Sequence, residues 1–93
     1  MAKYTPCLID TCFFTNESTN LECHHIFNGA YRKKSEKYGM KVMLSKRYHN
    51  EPPLGVHFNA KNMLILKQFG QRKFNEMYPN KNFHDVFGNK NYL

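Results

Sequence analysis

The chain has 93 residues and a formal net charge of +7, from 14 Lys and Arg against 7 Asp and Glu, which limits it to one small domain with a small core. Its longest apolar run, residues 63–66, is too short to span a bilayer, and its three cysteines are not spaced as a disulfide framework. Because no signal peptide is visible either, we expect a reduced, cytoplasmic protein whose positive charge favours nucleic acid rather than a membrane as its partner.

The first half of the chain predicts two strands joined by a basic segment. Residues 1–11 form an N-terminal arm, and residues 21–27 read as the first strand. The basic residues 30–38 form a loop or a short helix that Gly39 closes. Residues 40–44 alternate as a second strand, and the two prolines shortly after it exclude a helix there.

A long helix is predicted over residues 56–78, with Pro79 beyond its end. Its apolar residues recur at spacings of 3 and 4, which is typical of one helix face packed on a core. This stripe consists of Met63, Leu66, Gly70, Phe74 and Met77, widened by Ile65 and Phe69. Polar residues, Gln71 among them, are expected on the other faces. Gly70 indicates close packing, because glycine costs roughly 1 kcal/mol relative to Ala inside a helix. Phe83–Phe87 predicts one further helical turn.

Four histidines fall where these elements can meet. His24 and His25 are neighbours on the first strand, so they point to opposite faces, and a bend or strand end is needed for both to serve one site. His49 follows the second strand, and His57 falls at or near the first turn of the long helix. Imidazole binds metals and also titrates near neutral pH. The alternatives are a hydrogen-bonded core residue for His24 and a plain loop residue for His49. His84 is remote in sequence and is expected to be a surface or packing residue.

An ordered series of short motifs runs over about residues 12–93. It consists of His24-His25-Ile26-Phe27, Gly29, residues 32–39, Leu44, His49-Asn50, residues 55–59 and the C-terminal residues 87–93. This series resembles the HNH endonucleases, and more narrowly the small HNH-type proteins of bacteriophages and prophages. The resemblance implies an α+β fold: one small ββα-metal (His-Me finger) domain over residues 1–93 with a long C-terminal helix.

The resemblance also implies a role for each histidine of the series. His24 and His57 take the positions of metal ligands, and His25 takes that of the general base that activates water. His49 occupies a variable middle position, as a third ligand or as a catalytic residue that orients the base. The implied cofactor is a divalent metal ion, Mg²⁺ first, with Mn²⁺, Ni²⁺ or Zn²⁺ as alternatives because all-histidine ligation suits them.

Basic residues concentrate between the two predicted strands and just after the second. Arg32 is expected to hold a phosphate at the catalytic centre, with a solvated charge as the alternative. The predicted nucleic-acid surface consists of Arg32, Lys33, Lys34, Lys37, Lys46 and Arg47. Ser35 and Glu36 are interpreted as a capping pair of a short helix, and Asn59 as a helix-start residue.

The cysteines depart from the pattern of the family. Many HNH proteins hold a structural zinc with two Cys-x-x-Cys pairs, but only Cys12 remains of the four thiols, with Thr15, Ser45 and Tyr48 at the other positions. Tetrahedral structural zinc needs four ligands, so we expect no such site. A different zinc site, formed by the three cysteines and a histidine, is one alternative, and buried reduced cysteine is the other.

These observations together predict a metal-dependent HNH endonuclease that hydrolyses DNA, double-stranded in the simplest case, to a 5′-phosphate and a 3′-hydroxyl. One alternative is a DNA-binding module that keeps the fold but does not cleave. Another is a partner of phage packaging or recombination proteins. A purely structural zinc protein is disfavoured by the incomplete cysteine set. Cleavage specificity and oligomeric state are left open by the sequence.

Overall fold

A two-stranded antiparallel sheet forms the centre of the fold in the computed structural model, which describes residues 7–88 and 90–93. β1 spans Leu21–His25 and β2 spans Lys41–Ser45. The prediction of two strands is confirmed, although β1 ends two residues earlier than expected. The chain bends directly after β1, at residues 26 and 27.

The register of the sheet decides which side chains share a face. His25 lies opposite Lys41, and His24 lies opposite Val42. Because side chains alternate along a strand, Glu22 and His24 lie on one face of the sheet, and His25 lies on the other with Lys41. The two adjacent histidines therefore leave β1 in opposite directions, as their positions in the sequence predict.

The basic segment between the strands is helical. A 3₁₀ turn over Gly29–Tyr31 leads into α1, which spans Arg32–Tyr38. Gly39 follows α1 in the left-handed conformation, with φ 75°, which a residue without a Cβ adopts readily. The short helix closed by Gly39 is thus confirmed.

Ser35 and Glu36 do not cap this helix, and that prediction is wrong. Ser35 is the fourth and Glu36 the fifth of the seven residues of α1, so neither lies at its start. Ser35 is buried, and its hydroxyl donates to the carbonyl of Phe27 at 2.6 Å and accepts from the N–H of Phe27 at 3.0 Å. These two bonds tie α1 to the bend that follows β1.

The long helix begins later than predicted. α2 spans Lys46–Asn50, and after the proline-containing loop α3 spans Ala60–Met77. Asn59 sets the start of α3, because its side chain accepts a hydrogen bond from the N–H of Asn62 at 2.9 Å, as an N-cap residue does. His57 therefore lies in the turn before α3, near the start of the helix as predicted but outside it.

The buried side of α3 follows the predicted stripe at its centre. Leu66, Gly70 and Phe74 are buried, and a Cβ built on Gly70 would lie 2.9 Å from Cγ2 of Ile26, so the close packing expected there is confirmed. The edges of the stripe differ from the prediction. Met77, the last residue of α3, is 48% exposed, and Ile65 is 37% exposed because it lies on the far side of the helix from Gly70 at 3.6 residues per turn.

Gln71 is buried rather than on a polar face of α3. Its amide nitrogen donates to Asn91 at 2.9 Å, and its amide oxygen accepts from the N–H of Tyr92 at 2.8 Å. Because the amide nitrogen and the amide oxygen are both hydrogen-bonded, burial of the Gln71 side chain costs little free energy. Gln71 thereby attaches the C-terminal tail to α3.

The two ends of the chain complete the core. The predicted last helical turn is α4, which spans Phe83–Phe87 and packs its phenylalanines against Phe27 and Phe74. Residues 1–6 of the predicted arm lie outside the described residues. Further along the arm, the N–H of Leu8 donates to the carbonyl of Lys41 at 2.8 Å. Among the described residues, no helix is both long and apolar enough to cross a membrane. The chain is an α+β fold.

Candidate metal and catalytic site

Three histidines from three parts of the chain meet at one place. His24 comes from β1, His49 from α2 and His57 from the turn before α3, and their ring centroids lie 5.0 to 5.3 Å apart. One ring nitrogen of each residue lies within 4.8 Å of those of the other two. These three side chains, the histidine cluster, are close enough to share one cation.

His24 is the buried member of the cluster. It is 3% exposed, and its Nε2 is buried without a hydrogen-bond partner in the described part of the chain. Leaving such an atom unpaired costs about 1–3 kcal/mol, which a bound cation would offset. Burial, together with the neighbouring His49 and His57, lowers the pKa of His24 from 6.5 to about 3. The ring is therefore neutral at physiological pH, the state in which imidazole binds a metal.

Glu22 orients the second member of the cluster. Oε1 of Glu22 lies 2.7 Å from Nδ1 of His49, which leaves Nε2 of that ring for a cation. A carboxylate behind a ligating histidine fixes the ring direction and its tautomer. Glu22 was not among the residues predicted from the sequence, although its spacing of two residues from His24 places both on one face of a strand and was a usable signal.

His57 completes the cluster from an ordered turn. The N–H of Val56 donates to the carbonyl of Tyr48 at 2.8 Å, and the N–H of His57 donates to that of His49 at 3.5 Å. The turn is thus fastened to α2, the helix that carries His49. His57 is exposed to solvent, yet partial desolvation of its ring and the neighbouring His49 lower its pKa, which favours the neutral form here too.

The histidine cluster opens on a pocket of about 200 Å³. All five predicted catalytic and metal-binding residues line this pocket. The lining consists of Cys23, His24, His25, Asn28, Arg32, His49 and His57. His24 and His25 reach the same pocket from opposite faces of the sheet because β1 ends at His25 and the chain bends away there.

The carboxylate of Glu36 binds His25 and is itself bound by the buried Lys41. Nε2 of His25 lies 2.9 Å from Oε1 of Glu36, and Oε2 of Glu36 lies 2.8 Å from Nζ of Lys41. Hydrogen bonds from Lys41 and His25 lower the pKa of Glu36, so its carboxylate is ionised at neutral pH. Lys41 was not predicted as a site residue and Glu36 was given another role, although Glu36 is the only acidic residue among residues 31–47.

The predicted nucleic-acid residues divide between two places. Arg32, the first residue of α1, lines the pocket of the histidine cluster. The other basic residues of α1 are exposed: Lys33, Lys34 and Lys37. Lys46 and Arg47, at the start of α2, are exposed as well and line a different pocket of about 300 Å³ beside Glu17. The structure therefore brings Arg32, and not Lys46 or Arg47, to the histidines.

The cysteines do not gather around a metal site in the described residues. Sγ of Cys12 is buried and accepts a hydrogen bond from the N–H of Ser45 at 3.2 Å. Sγ of Cys7 and Sγ of Cys23 lie 3.8 Å apart. Within residues 7–88 and 90–93, no group of three potential metal ligands includes a cysteine.

The donor set of the histidine cluster fits a divalent transition metal. Three imidazole nitrogens suit Zn²⁺, Ni²⁺ and Cu²⁺, whereas Mg²⁺ prefers oxygen ligands. Three protein ligands beside an open pocket also leave a position for water or substrate, which is typical of a catalytic rather than a structural site.

Comparison with known proteins assigns neither a family nor a function to this site. No protein-family model matches the chain, and neither does a curated protein or a solved structure. The likeness to HNH endonucleases therefore depends on the ordered sequence motifs alone.

Proposed function

We propose that this protein is a metal-dependent endonuclease that hydrolyses DNA phosphodiester bonds on a ββα-metal core of the HNH type. The observation that carries the proposal is the convergence of the histidine cluster, the carboxylate-bound His25 and Arg32 on one open pocket. A cation held by the histidine cluster would supply positive charge that stabilises the developing charge on the phosphate oxygens. The net charge of +7 suits the polyanionic substrate.

His25 acts as the general base in this proposal. Its Nδ1 takes a proton from a water molecule as the water oxygen forms a bond to phosphorus. The bond between phosphorus and the 3′-oxygen breaks, and that oxygen takes a proton from solvent. The products are a 5′-phosphate and a 3′-hydroxyl, and the imidazolium of His25 then returns its proton to solvent. Glu36 stabilises the imidazolium while it exists.

Arg32 binds the phosphate. A guanidinium can donate two parallel hydrogen bonds to phosphate oxygens, and Arg32 borders the same pocket as His25. The exposed lysines of α1 extend this positive surface toward neighbouring phosphates. Lys46 and Arg47 belong to the same helix as His49, and we assign them contacts with the same DNA outside the pocket. Binding of this kind depends on counterion release and weakens steeply with salt.

The nicking of supercoiled plasmid tests the proposal. The full chain is incubated with plasmid and Zn²⁺, Ni²⁺, Mn²⁺, Mg²⁺ or EDTA, beside His25→Ala and the matched control His84→Ala. His84 lies on α4, outside the pocket lining. We expect metal-dependent nicking that EDTA abolishes, that His25→Ala lowers by about 10²–10⁴-fold, the usual contribution of a general base, and that His84→Ala leaves within about twofold of wild type.

Two other outcomes separate the alternatives. DNA binding that is sensitive to salt, without cleavage under any of the four metals, would contradict the nuclease and leave a DNA-binding module. Cleavage that survives in EDTA, or that falls equally in both histidine variants, would show that the pocket is not the source of the activity. A role beside phage packaging or recombination proteins would instead require those proteins for activity.

A further inference from the structure

We propose that Glu36 and Lys41 are a positioning pair that sets the ring tautomer of His25, an inference that rests on His25 being the general base of the proposed nuclease. Neither residue of the pair belongs to the histidine cluster or to the pocket lining. The pair acts through His25, from the face of the sheet opposite His24.

Three separate elements bring these groups together. His25 is the last residue of β1, and Lys41 is the first residue of β2 and its direct partner in the register. Glu36 comes from α1 and divides its two oxygens between them, with Oε1 at 2.9 Å from His25 and Oε2 at 2.8 Å from Lys41. One carboxylate thus joins the two strands at the end where the segment containing α1 connects them.

The direction of each hydrogen bond follows from the donor inventory. A lysine ammonium only donates, and an ionised carboxylate only accepts. Oε2 of Glu36 therefore accepts from Lys41, and Oε1 accepts from Nε2–H of a neutral His25. That leaves the lone pair on Nδ1, the nitrogen that must take a proton from water. The opposite tautomer would place its proton on Nδ1 and leave no base.

Lys41 and the anchoring of α1 fix the position of the Glu36 carboxylate. Lys41 is 4% exposed and donates at 2.8 Å to Oε2 of Glu36, whose side chain is 33% exposed. Ser35, the neighbour of Glu36, is buried and bonded to both the N–H and the carbonyl of Phe27. The carboxylate is therefore anchored through the backbone on one side and through Lys41 on the other.

Glu36→Gln is the variant that tests the idea most sharply. Because buried Lys41 can only donate, it claims the amide oxygen of the new side chain. The NH₂ group then faces His25 and donates to Nε2, which drives the proton of the ring onto Nδ1. In the double variant Glu36→Gln/Lys41→Met the competing ammonium is removed, so the amide oxygen turns to His25 and the original tautomer returns.

Two readouts are measured on the full chain. Two-bond ¹H–¹⁵N NMR of the metal-free protein at about pH 8, above the ordinary histidine pKa, reports the tautomer of His25, whose signals are assigned by their loss in His25→Ala. Plasmid nicking with metal reports the base. We expect Nε2–H in wild type, Nδ1–H in Glu36→Gln with nicking lowered by about 10²-fold or more, and recovery of both in the double variant by at least about tenfold over the single one.

A merely structural role predicts a different result. Removing a second partner from the pair would then lower activity further in the double variant, and the tautomer would not change. The inference is overturned if His25 keeps Nε2–H in Glu36→Gln, or if the double variant nicks no faster than the single one. Failure of the wild type to nick would refute the proposed function but not the positioning, which the NMR measurement decides by itself. Glu76→Gln, on an exposed glutamate of α3, is the control for loss of charge.

Discussion

At the scale of single residues, the site depends on carboxylates that stand behind histidines. Glu22 binds His49 on one face of the sheet, and Glu36 binds His25 on the other. Each carboxylate occupies one ring nitrogen and so directs the other. In the proposed nuclease the histidines supply the chemistry, and the glutamates decide which atom of each ring is offered to it.

Glu22→Ala should weaken metal binding without preventing folding. The loss of the 2.7 Å hydrogen bond frees the ring of His49, and removal of such an outer partner typically lowers metal affinity by about 10–100-fold. Isothermal titration calorimetry with Zn²⁺ measures this change. Glu76→Ala, which removes an exposed glutamate of α3, is the matched control and should bind as wild type does. Equal affinity in both variants would contradict the role of Glu22.

Acid should destabilise the metal-free protein through His24. The pKa of His24 is about 3 in the folded state against 6.5 ordinarily, so between these values the unfolded chain binds a proton that the folded chain does not. The stabilisation is complete above pH 6.5 and falls as the pH drops toward 3, by about 1.4 kcal/mol per pH unit. The lowered pKa of His57 acts in the same direction.

Urea unfolding in EDTA at several pH values measures this dependence. His24→Leu removes the titrating ring and should flatten the slope of unfolding free energy against pH below 6.5. His84→Leu, the control at a histidine outside the cluster, should keep the wild-type slope. An unchanged slope in His24→Leu would mean that the acid sensitivity comes from other groups.

At the scale of elements, close packing against the end of β1 sets the position of α3. Gly70 lies against Ile26 and Phe27, the two residues of the bend that brings His24 and His25 to one pocket. The absence of a side chain at this position allows that contact. Asn59 meanwhile sets where α3 starts, and thereby leaves His57 in the turn that faces His49.

Gly70→Ala should lower the free energy of unfolding by up to about 2 kcal/mol. The added Cβ would lie 2.9 Å from Ile26 and 3.0 Å from Phe27, and overpacking of this kind costs about 1–3 kcal/mol, which the gain of roughly 1 kcal/mol in helix propensity offsets only in part. Thermal and urea unfolding measure the change. Asn75→Ala, at an exposed site of the same helix, should instead be slightly stabilising. If both substitutions stabilise the protein, Ile26 and Phe27 move aside for the added Cβ at little cost, and the prediction is wrong.

At the scale of the whole molecule, most of the positive charge lies outside the aromatic core, with Lys41 as a buried exception. The five phenylalanine and tyrosine rings of Phe27, Phe74, Phe83, Phe87 and Tyr92 pack at one end, whereas the basic residues of α1 and α2 are exposed. Since the net charge is +7, DNA binding should weaken linearly in a plot of log K against log salt concentration.

Arg32→Ala should reduce the slope of that plot by about 0.9, the effect of one lost phosphate contact. Fluorescence anisotropy with duplex DNA in EDTA measures binding without cleavage. Arg72→Ala removes an equal charge from an exposed site of α3, outside the pocket lining, and should leave the slope near its wild-type value. The same slope change in both variants would mean that only net charge matters and that Arg32 makes no specific contact.

Much of the secondary structure was predictable from the sequence because its signals are local. Alternation marked the second strand, spacings of 3 and 4 marked α3, and Gly39 marked the end of α1. The predicted start of α3 and the predicted end of its apolar stripe are wrong. Asn59 is a recognisable helix-start residue, yet the predicted helix starts at Val56, and the predicted stripe extends to Met77 although Phe74 is the last buried residue of α3.

The sequence by itself determined the residue types of the site: four histidines and an arginine in an order that resembles HNH endonucleases. Only the tertiary structure decided their partners. Glu22 lies 27 residues from His49, and Glu36 lies 11 residues from His25, so no periodic pattern connects them. A hydrogen bond between elements depends on how strands pair and helices pack, which is also why Gln71 is buried and why His24 and His25 share one pocket.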